Sequence, residues 1–118
     1  TATAVYDLMQ GYMALAAGAD YIAPYVNRIG NLGADPMELI YELSNRIIMD
    51  NYDTKIVAAS FKGVEQIKNA LNNGAQAITA PVGILKQIFK NPNIEKAVDD
   101  FNADWYSMYG EGKGICDL

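Results

Sequence analysis

The sequence predicts an α/β protein with a parallel sheet, built like a (βα)8 barrel but with about half its units. Three observations predict it. Short strand-like apolar runs alternate with helix-period segments along the whole chain, the pattern of parallel α/β proteins. Those runs are nearly unbroken rather than alternating, as expected of strands buried on both faces. Finally, "GADYIAP" at 18–24 is echoed by "GAQAITAP" at 74–81, each leading from a glycine into an Ile-centred strand, with the two glycines 56 positions apart. Two βα units fill that period, and about 28 residues per unit agrees with the roughly 250 residues of a typical eight-unit barrel. Four units in 118 residues therefore amount to half a barrel. The alternative is an open four-strand sheet, which leaves one edge and one face bare unless a partner covers them.

The elements follow in order. Residues 2–6 read as the first strand, and Leu8, Tyr12, Leu15 and Ala16 as the buried stripe of a helix that stops at Gly18, where a left-handed residue can end it. Residues 21–25 form the second strand, with Pro24 closing regular pairing because it has no N–H to donate. "IGNLGA" at 29–34 reads as a Gly-rich polar loop able to wrap a ligand. "DPME" at 35–38 starts a helix: Asp35 caps, Pro36 suits the first turn, and Glu38 can reach back. Leu39, Ile40, Leu43 and Ile47 are its buried stripe. A third strand at 55–60 precedes a helix carrying Val64, Ile67 and Leu71 inward and stopping at Gly74; a fourth strand follows at 77–80. Ile84, Leu85, Ile88 and Phe89 mark a short helix, and Ile94 to Tyr109 a longer one with Ile94, Val98, Phe101 and Trp105 on one face and Asp99, Asp100 and Asp104 mostly opposite. The chain begins at Thr1 with residues that already read as strand interior, as expected of the C-terminal part of a longer protein.

Composition narrows the chemistry. With 51% hydrophobic residues and a net charge of -5, a single globular domain or a piece of one is expected, with a sizeable core. Neither a signal pattern nor a membrane-length apolar run is present in the sequence, so a cytoplasmic location with no membrane partner is expected. The acidic balance argues against nucleic acid as a partner. There is no histidine, which removes Ser-His-Asp and Cys-His chemistry and imidazole metal sites. The single cysteine, Cys116, sits in a Gly-rich tail far from any candidate base. No phosphate-loop or dinucleotide pattern occurs, so no nucleotide cofactor is expected.

In parallel α/β folds reactive groups gather at the carboxyl ends of strands. Here those ends carry Tyr25, Asn27 and Arg28 after the second strand, and Ser60 and Lys62 after the third, two clusters expected to be neighbours. Arg28 is a fork suited to phosphate or carboxylate, with Ser60 and Lys62 adding a hydroxyl and a point charge. The structural alternatives are an ion pair of Arg28 with Asp35 or Glu38, Ser60 as a helix cap, and Lys62 as a solvated surface group. A desolvated Lys62 could form a Schiff base, but the glycine after it and its place beyond the strand favour a charged, solvated amine. Tyr25 can pass a proton directly or through a water held by Thr3, or can be core with a satisfied hydroxyl.

"TATAVY", "GADYIAPYVNRI", "KIVAASFK" and "GAQAIT", followed by "AVDDFNADW", resemble in order and spacing the C-terminal half of the small transaldolases, in particular the fructose-6-phosphate aldolase branch. The resemblance covers nearly the whole chain. It implies that residues 1–118 are the C-terminal four βα units and final helix of a single TIM (βα)8 barrel domain. It also implies a class I aldolase or transaldolase that acts on ketose phosphates through a lysine Schiff base with a dihydroxyacetone unit, without metal or organic cofactor. On the matching positions, Tyr25 is implied as the acid/base group with Thr3 helping to hold its water, and Ala23 as lining the donor site. Arg28 and Ser60 are implied as phosphate ligands, with Lys62 in a supporting role where related transaldolases carry arginine. Larger transaldolases have phenylalanine at the position of Tyr25, which tilts the resemblance toward aldolase. The Schiff-base lysine and the partner that holds the catalytic water lie upstream of the matched segment in this family, so the chain alone is expected to be inactive. The final helix, with Phe101 and Trp105, resembles one that packs on a neighbouring subunit, implying a homo-oligomer. The competing class is a non-catalytic half-barrel that binds sugar phosphate and self-associates.

Overall fold

The computed structural model describes residues 1–90 and 92–109; Cys116 and the Gly-rich tail lie outside them, and so does the side chain of Ile94. The elements run β1 (Ala2–Val5), α1 (Leu8–Ala16), β2 (Tyr21–Pro24), α2 (Val26–Asn31), α3 (Pro36–Met49), β3 (Lys55–Ala58), α4 (Val64–Asn72), β4 (Ala77–Ile78), α5 (Val82–Phe89) and α6 (Pro92–Tyr109). Residues 1–85 form one compact unit and residues from Lys86 onward a second.

The four strands are parallel and lie in sequence order, β1-β2-β3-β4. Right-handed crossovers between strands laid down in one direction place every connecting helix on the same face. Accordingly α3 packs against α1, α2 and α4 in one layer. A doubly wound sheet reverses its strand order; this one does not, and it is consistent with the wall of a TIM barrel. The core fills the space between sheet and helices: Val5, Ile22, Ile56 and Ala58 from the strands meet Leu15, Ile40, Leu43, Ile47, Ile67 and Ala70. The α3 stripe of Leu39, Ile40, Leu43 and Ile47 is buried as the periodicity predicts.

The opposite face meets the expectation of two buried faces only in part: Ala23 and Ala59 are buried on it. Thr3, Tyr21, Lys55, Ala77 and Thr79 are exposed there, with Tyr21 at 43%. No crossover reaches that side. Two helical stripes also shift. On α4 the buried partner of Ile67 is Ala70, while Leu71 is 45% exposed. On α1 Gly11 and Leu15 are buried and Ala16 is exposed. Ile84 of α5 packs on the core, whereas Ile88 and Phe89 are exposed. In α6, Val98 and Phe101 are exposed and Trp105 is half-buried.

Helix ends follow from local chemistry. Asp35 accepts from the N–H groups of Met37 and Glu38 and caps α3 ahead of Pro36, satisfying donors that have no intrahelical partner. No hydrogen bond from Glu38 back to the cap is present. The helices α1 to α4 end with a left-handed residue one step past the cap, Gly18, Gly33, Asn51 and Gly74. In each case the next residue's N–H bonds five residues back, as Ala19 does to Ala14 and Ala75 to Ala70, which is the Schellman closure.

The sequence echo is a backbone repeat. Helices α1 and α4 start at residues 8 and 64 and end at 16 and 72, an offset of 56 at both ends. Left-handed Gly18 and Gly74 keep that offset, and so do left-handed Ala4 and Ser60. Gln10 accepts from the Tyr6 N–H and Gln66 from the Lys62 N–H, each at 2.8 Å.

Candidate active site

The strands are shorter at their carboxyl ends than their apolar runs suggest, and the difference builds the site. Regular pairing ends at Val5, Pro24, Ala58 and Ile78, so Tyr6, Tyr25 and Ser60 are released from the sheet. Tyr25 keeps one bridge to Ala59 and donates its N–H to the Val5 carbonyl. Directly after it the chain turns into α2 rather than into the loop read from "IGNLGA". Val26 and Ile29, both fully buried, anchor this six-residue helix to the core.

The first N–H groups of a helix need outside acceptors. In α2 they find them on the neighbouring strand end: Val26 donates to the Ala59 carbonyl at 2.8 Å and Asn27 to the Ser60 carbonyl at 2.7 Å. Gln66 of α4 adds a side-chain bond to Asn27 at 3.2 Å. Arg28 and Ser60 are thereby held close, as their places at adjacent strand ends predict. Ser60 sits at φ 64, a left-handed conformation that costs a non-glycine residue about 1–3 kcal/mol. It turns the chain out of β3 and presents its side chain to a cleft.

That cleft, of about 430 Å³, is lined by Tyr25, Arg28, Ser60, Phe61, Thr79 and Pro81, among others, a volume that suits a small metabolite. The Tyr25 hydroxyl lies 3.0 Å from the Thr3 hydroxyl. The Arg28 guanidinium sits 5.3 Å over the Tyr25 ring, an attractive cation–π contact. Tyr6 completes the group: its ring meets Tyr25 edge-on at 5.7 Å and 75°, and its hydroxyl accepts from Arg28 at a long 3.4 Å. The hydrogen bond to Tyr6 raises the pKa of the Arg28 guanidinium above its ordinary value, and an arginine is cationic in any case.

The structural alternatives for Arg28 and Ser60 do not occur, whereas that for Lys62, a solvated surface group, does. Arg28 forms no ion pair with Asp35 or Glu38; the ion pairs among the described residues are Arg46–Asp50 and Lys68–Glu65. Nor is Ser60 a cap, because α4 starts from Gly63. Lys62 is exposed and bonds through its backbone N–H to Gln66, and its side chain does not line the cleft. Ala23, 6% exposed, does not line it either. No lysine lines the cleft at all. Among the described residues no group of three or more Cys, Asp or Glu side chains is placed to hold a metal ion, and no helix is long and apolar enough to cross a membrane.

Reasoning from sequence missed Tyr6, Thr79 and helix α2. Tyr6 follows β1 just as Tyr25 follows β2, so the strand-end rule applied evenly would have found it. The Val26/Ile29 spacing was the signal for α2, obscured by Gly30 and Asn31.

Sequential parallel strands, helices on one face, and hydroxyl, phenol and guanidinium groups gathered at the strand carboxyl ends define a parallel α/β protein consistent with the TIM-barrel class. Within that class the chain belongs to the transaldolase/fructose-6-phosphate aldolase family, whose sequence model matches residues 1–112. It is 50% identical over 106 residues to a "Probable fructose-6-phosphate aldolase" of Streptococcus pneumoniae (strain ATCC 700669 / Spain 23F-1). The alignment covers 90% of this chain and 48% of the relative, so the chain spans about half the length of the curated relative it matches.

Proposed function

We propose that this chain is the C-terminal half of a class I aldolase acting on ketose phosphates such as fructose 6-phosphate, with a dihydroxyacetone unit as donor. Family membership and the name of the pneumococcal relative support the reading. The observation that carries it is one cleft uniting a hydroxyl-paired tyrosine with a guanidinium that has no carboxylate partner among the described residues.

The division of labour follows from distance and charge. A lysine outside this chain condenses with the donor carbonyl, and the resulting iminium accepts the electrons released as the carbon–carbon bond breaks. Tyr25, oriented by Thr3, moves the proton between the substrate hydroxyl and a water. Arg28 and Ser60 hold the phosphate at the far end, which fixes the reacting carbon relative to Tyr25. Ala23 borders the donor unit in the whole protein rather than in this cleft, and exposed Lys62 adds positive charge near the rim. The resemblance puts the Schiff-base lysine upstream of the matched residues, so in this reading the 118-residue chain alone is inactive. The whole protein assembles as a homo-oligomer through α6, whose Val98 and Phe101 are exposed.

The test is trapping with dihydroxyacetone and borohydride. The intact protein is expected to carry a reduced adduct on a lysine outside residues 1–118, and the chain alone none. Tyr25→Phe should leave the adduct while lowering kcat by about 100-fold or more, the usual contribution of a positioned proton-transfer group. Phosphate binding without any adduct would instead mark a non-catalytic sugar-phosphate module. An adduct on Lys62 would overturn its assignment.

A further inference from the structure

Arg28 borders two cavities, and one of its neighbours, Tyr6, also lines an acidic pocket that Arg28 does not. One of the two cavities is the cleft with Ser60 and Thr79. The acidic pocket, of about 210 Å³, has Asp7, Asp35, Glu38 and Glu42 in its lining. Tyr6 belongs to that acidic pocket and also lines a cavity with Arg28, Asn31 and Leu32. Coulomb attraction alone would draw a flexible, exposed guanidinium toward the carboxylates, yet it rests over Tyr25 and against the Tyr6 hydroxyl.

We propose that Tyr6 is a positioning residue: it walls Arg28 off from Asp35 and Glu38 and holds the guanidinium at the cleft, so that its charge is left for an anionic substrate group. This rests on the reading of Arg28 as an anion ligand. The placement of Tyr6 is itself well determined. Its N–H is bound by Gln10 at 2.8 Å, Asp7 caps α1 immediately after it, and its ring is set edge-on against Tyr25. The hydroxyl is the weaker half of the device, since a 3.4 Å contact is long for a hydrogen bond. The ring, part of the one residue shared by the acidic pocket and the cavity beside Arg28, is the stronger half. At the equivalent place in the second half of the repeat stands Lys62, which cannot wall off a cation.

The experiment titrates inorganic phosphate into the full chain, following the Arg28 Nε–H signal by NMR, with far-UV dichroism and thermal midpoint as controls for folding. Tyr6→Phe, which keeps the wall, is expected to weaken binding about two- to threefold. Tyr6→Leu should weaken it about tenfold, a loss of the size of one charge-assisted contact. Adding Glu38→Gln to Tyr6→Leu should recover most of that loss, a rescue that general destabilisation cannot produce. Should Tyr6→Leu misfold, Tyr6→Val, which also removes the ring, takes its place: unchanged affinity and an unchanged Arg28 signal in it overturn the proposal. Wild-type affinity in a folded Tyr6→Leu, or no rescue by Glu38→Gln, also overturns it. If the unaltered chain binds no phosphate, the anion role of Arg28 falls and this proposal with it. The lysine-adduct test remains independent.

Discussion

Residues 2–29 and 58–85 use nearly the same backbone for different ends. Each runs through a left-handed residue, a helix with a glutamine bonded back to the N–H before its cap, a Schellman closure, a strand and the start of a further helix, at a constant offset of 56. The side chains at matched positions diverge. Where the first carries Tyr6, Tyr25 and Arg28, the second carries Lys62, Pro81 and Ile84. The shared features are those that end helices and turn the chain. The unshared ones project at the strand carboxyl ends, where a fold can change its chemistry without changing its frame. The first copy thus supplies the phenols and the cation, and the second mainly the left-handed Ser60 and the wall of the cleft.

The comparison is tested most severely in the core. Ile22 and Ile78 occupy matched positions in β2 and β4, but Ile22 is fully buried in an inner strand and Ile78 only half-buried in a two-residue strand. Ile22→Ala should cost about 2–5 kcal/mol, the range for truncating a buried aliphatic side chain. Ile78→Ala should cost roughly half as much, because less apolar area is lost. Urea denaturation of the two variants checks this. Equal losses would mean that the two copies are equally built into the core.

Gly74 and Gly18 separate backbone conformation from packing. Both are left-handed, at φ 122 and 84, but a Cβ at Gly18 meets open space whereas one at Gly74 runs into the Ser44 side chain of α3. Gly18→Ala should cost about 1–2 kcal/mol for the left-handed backbone alone. Gly74→Ala should cost a further 1–2 kcal/mol or so from the overlap. Combining Gly74→Ala with Ser44→Gly should abolish the overlap penalty in a double-mutant cycle while leaving the conformational one.

The frame was legible in the sequence because it depends on short-range signals. The Asp35-Pro36 start, the α3 stripe and the glycine stops at 18 and 74 each act within a few residues, and the structure keeps them. What escaped was decided by contacts between distant segments. Helix α2 exists because its free N–H groups meet the Ala59 and Ser60 carbonyls, and nothing within "VNRIGN" announces those acceptors. The open sheet face follows from strand order, since the same apolar run serves a strand covered on one side or on both. Among site residues, Arg28, Ser60 and Tyr25 converge as strand-end reasoning requires. Lys62 stays outside the cleft because the chain turns through Ser60 two residues earlier.

The smallest expected difference concerns the two glutamines. Gln10 and Gln66 each accept a backbone N–H from the residue before a helix cap, but they are not equally replaceable. Asp7 caps α1 with its own side chain, bonding the Gln10 N–H at 2.8 Å, whereas α4 begins at Gly63 with no side-chain cap. Gln66 also donates to Asn27 and so ties α4 to α2, one residue from Arg28. Removing Gln10 should therefore cost only about 0.5 kcal/mol, and Gln66→Ala about 1–1.5 kcal/mol for two lost bonds. Amide exchange sharpens the contrast: Gln66→Ala should speed exchange at Lys62 and along the first turn of α2, while Gln10→Ala should affect Tyr6 alone. Faster exchange in α2 after removal of Gln10 would show that the two ends of the repeat are coupled through the sheet rather than through this single side chain.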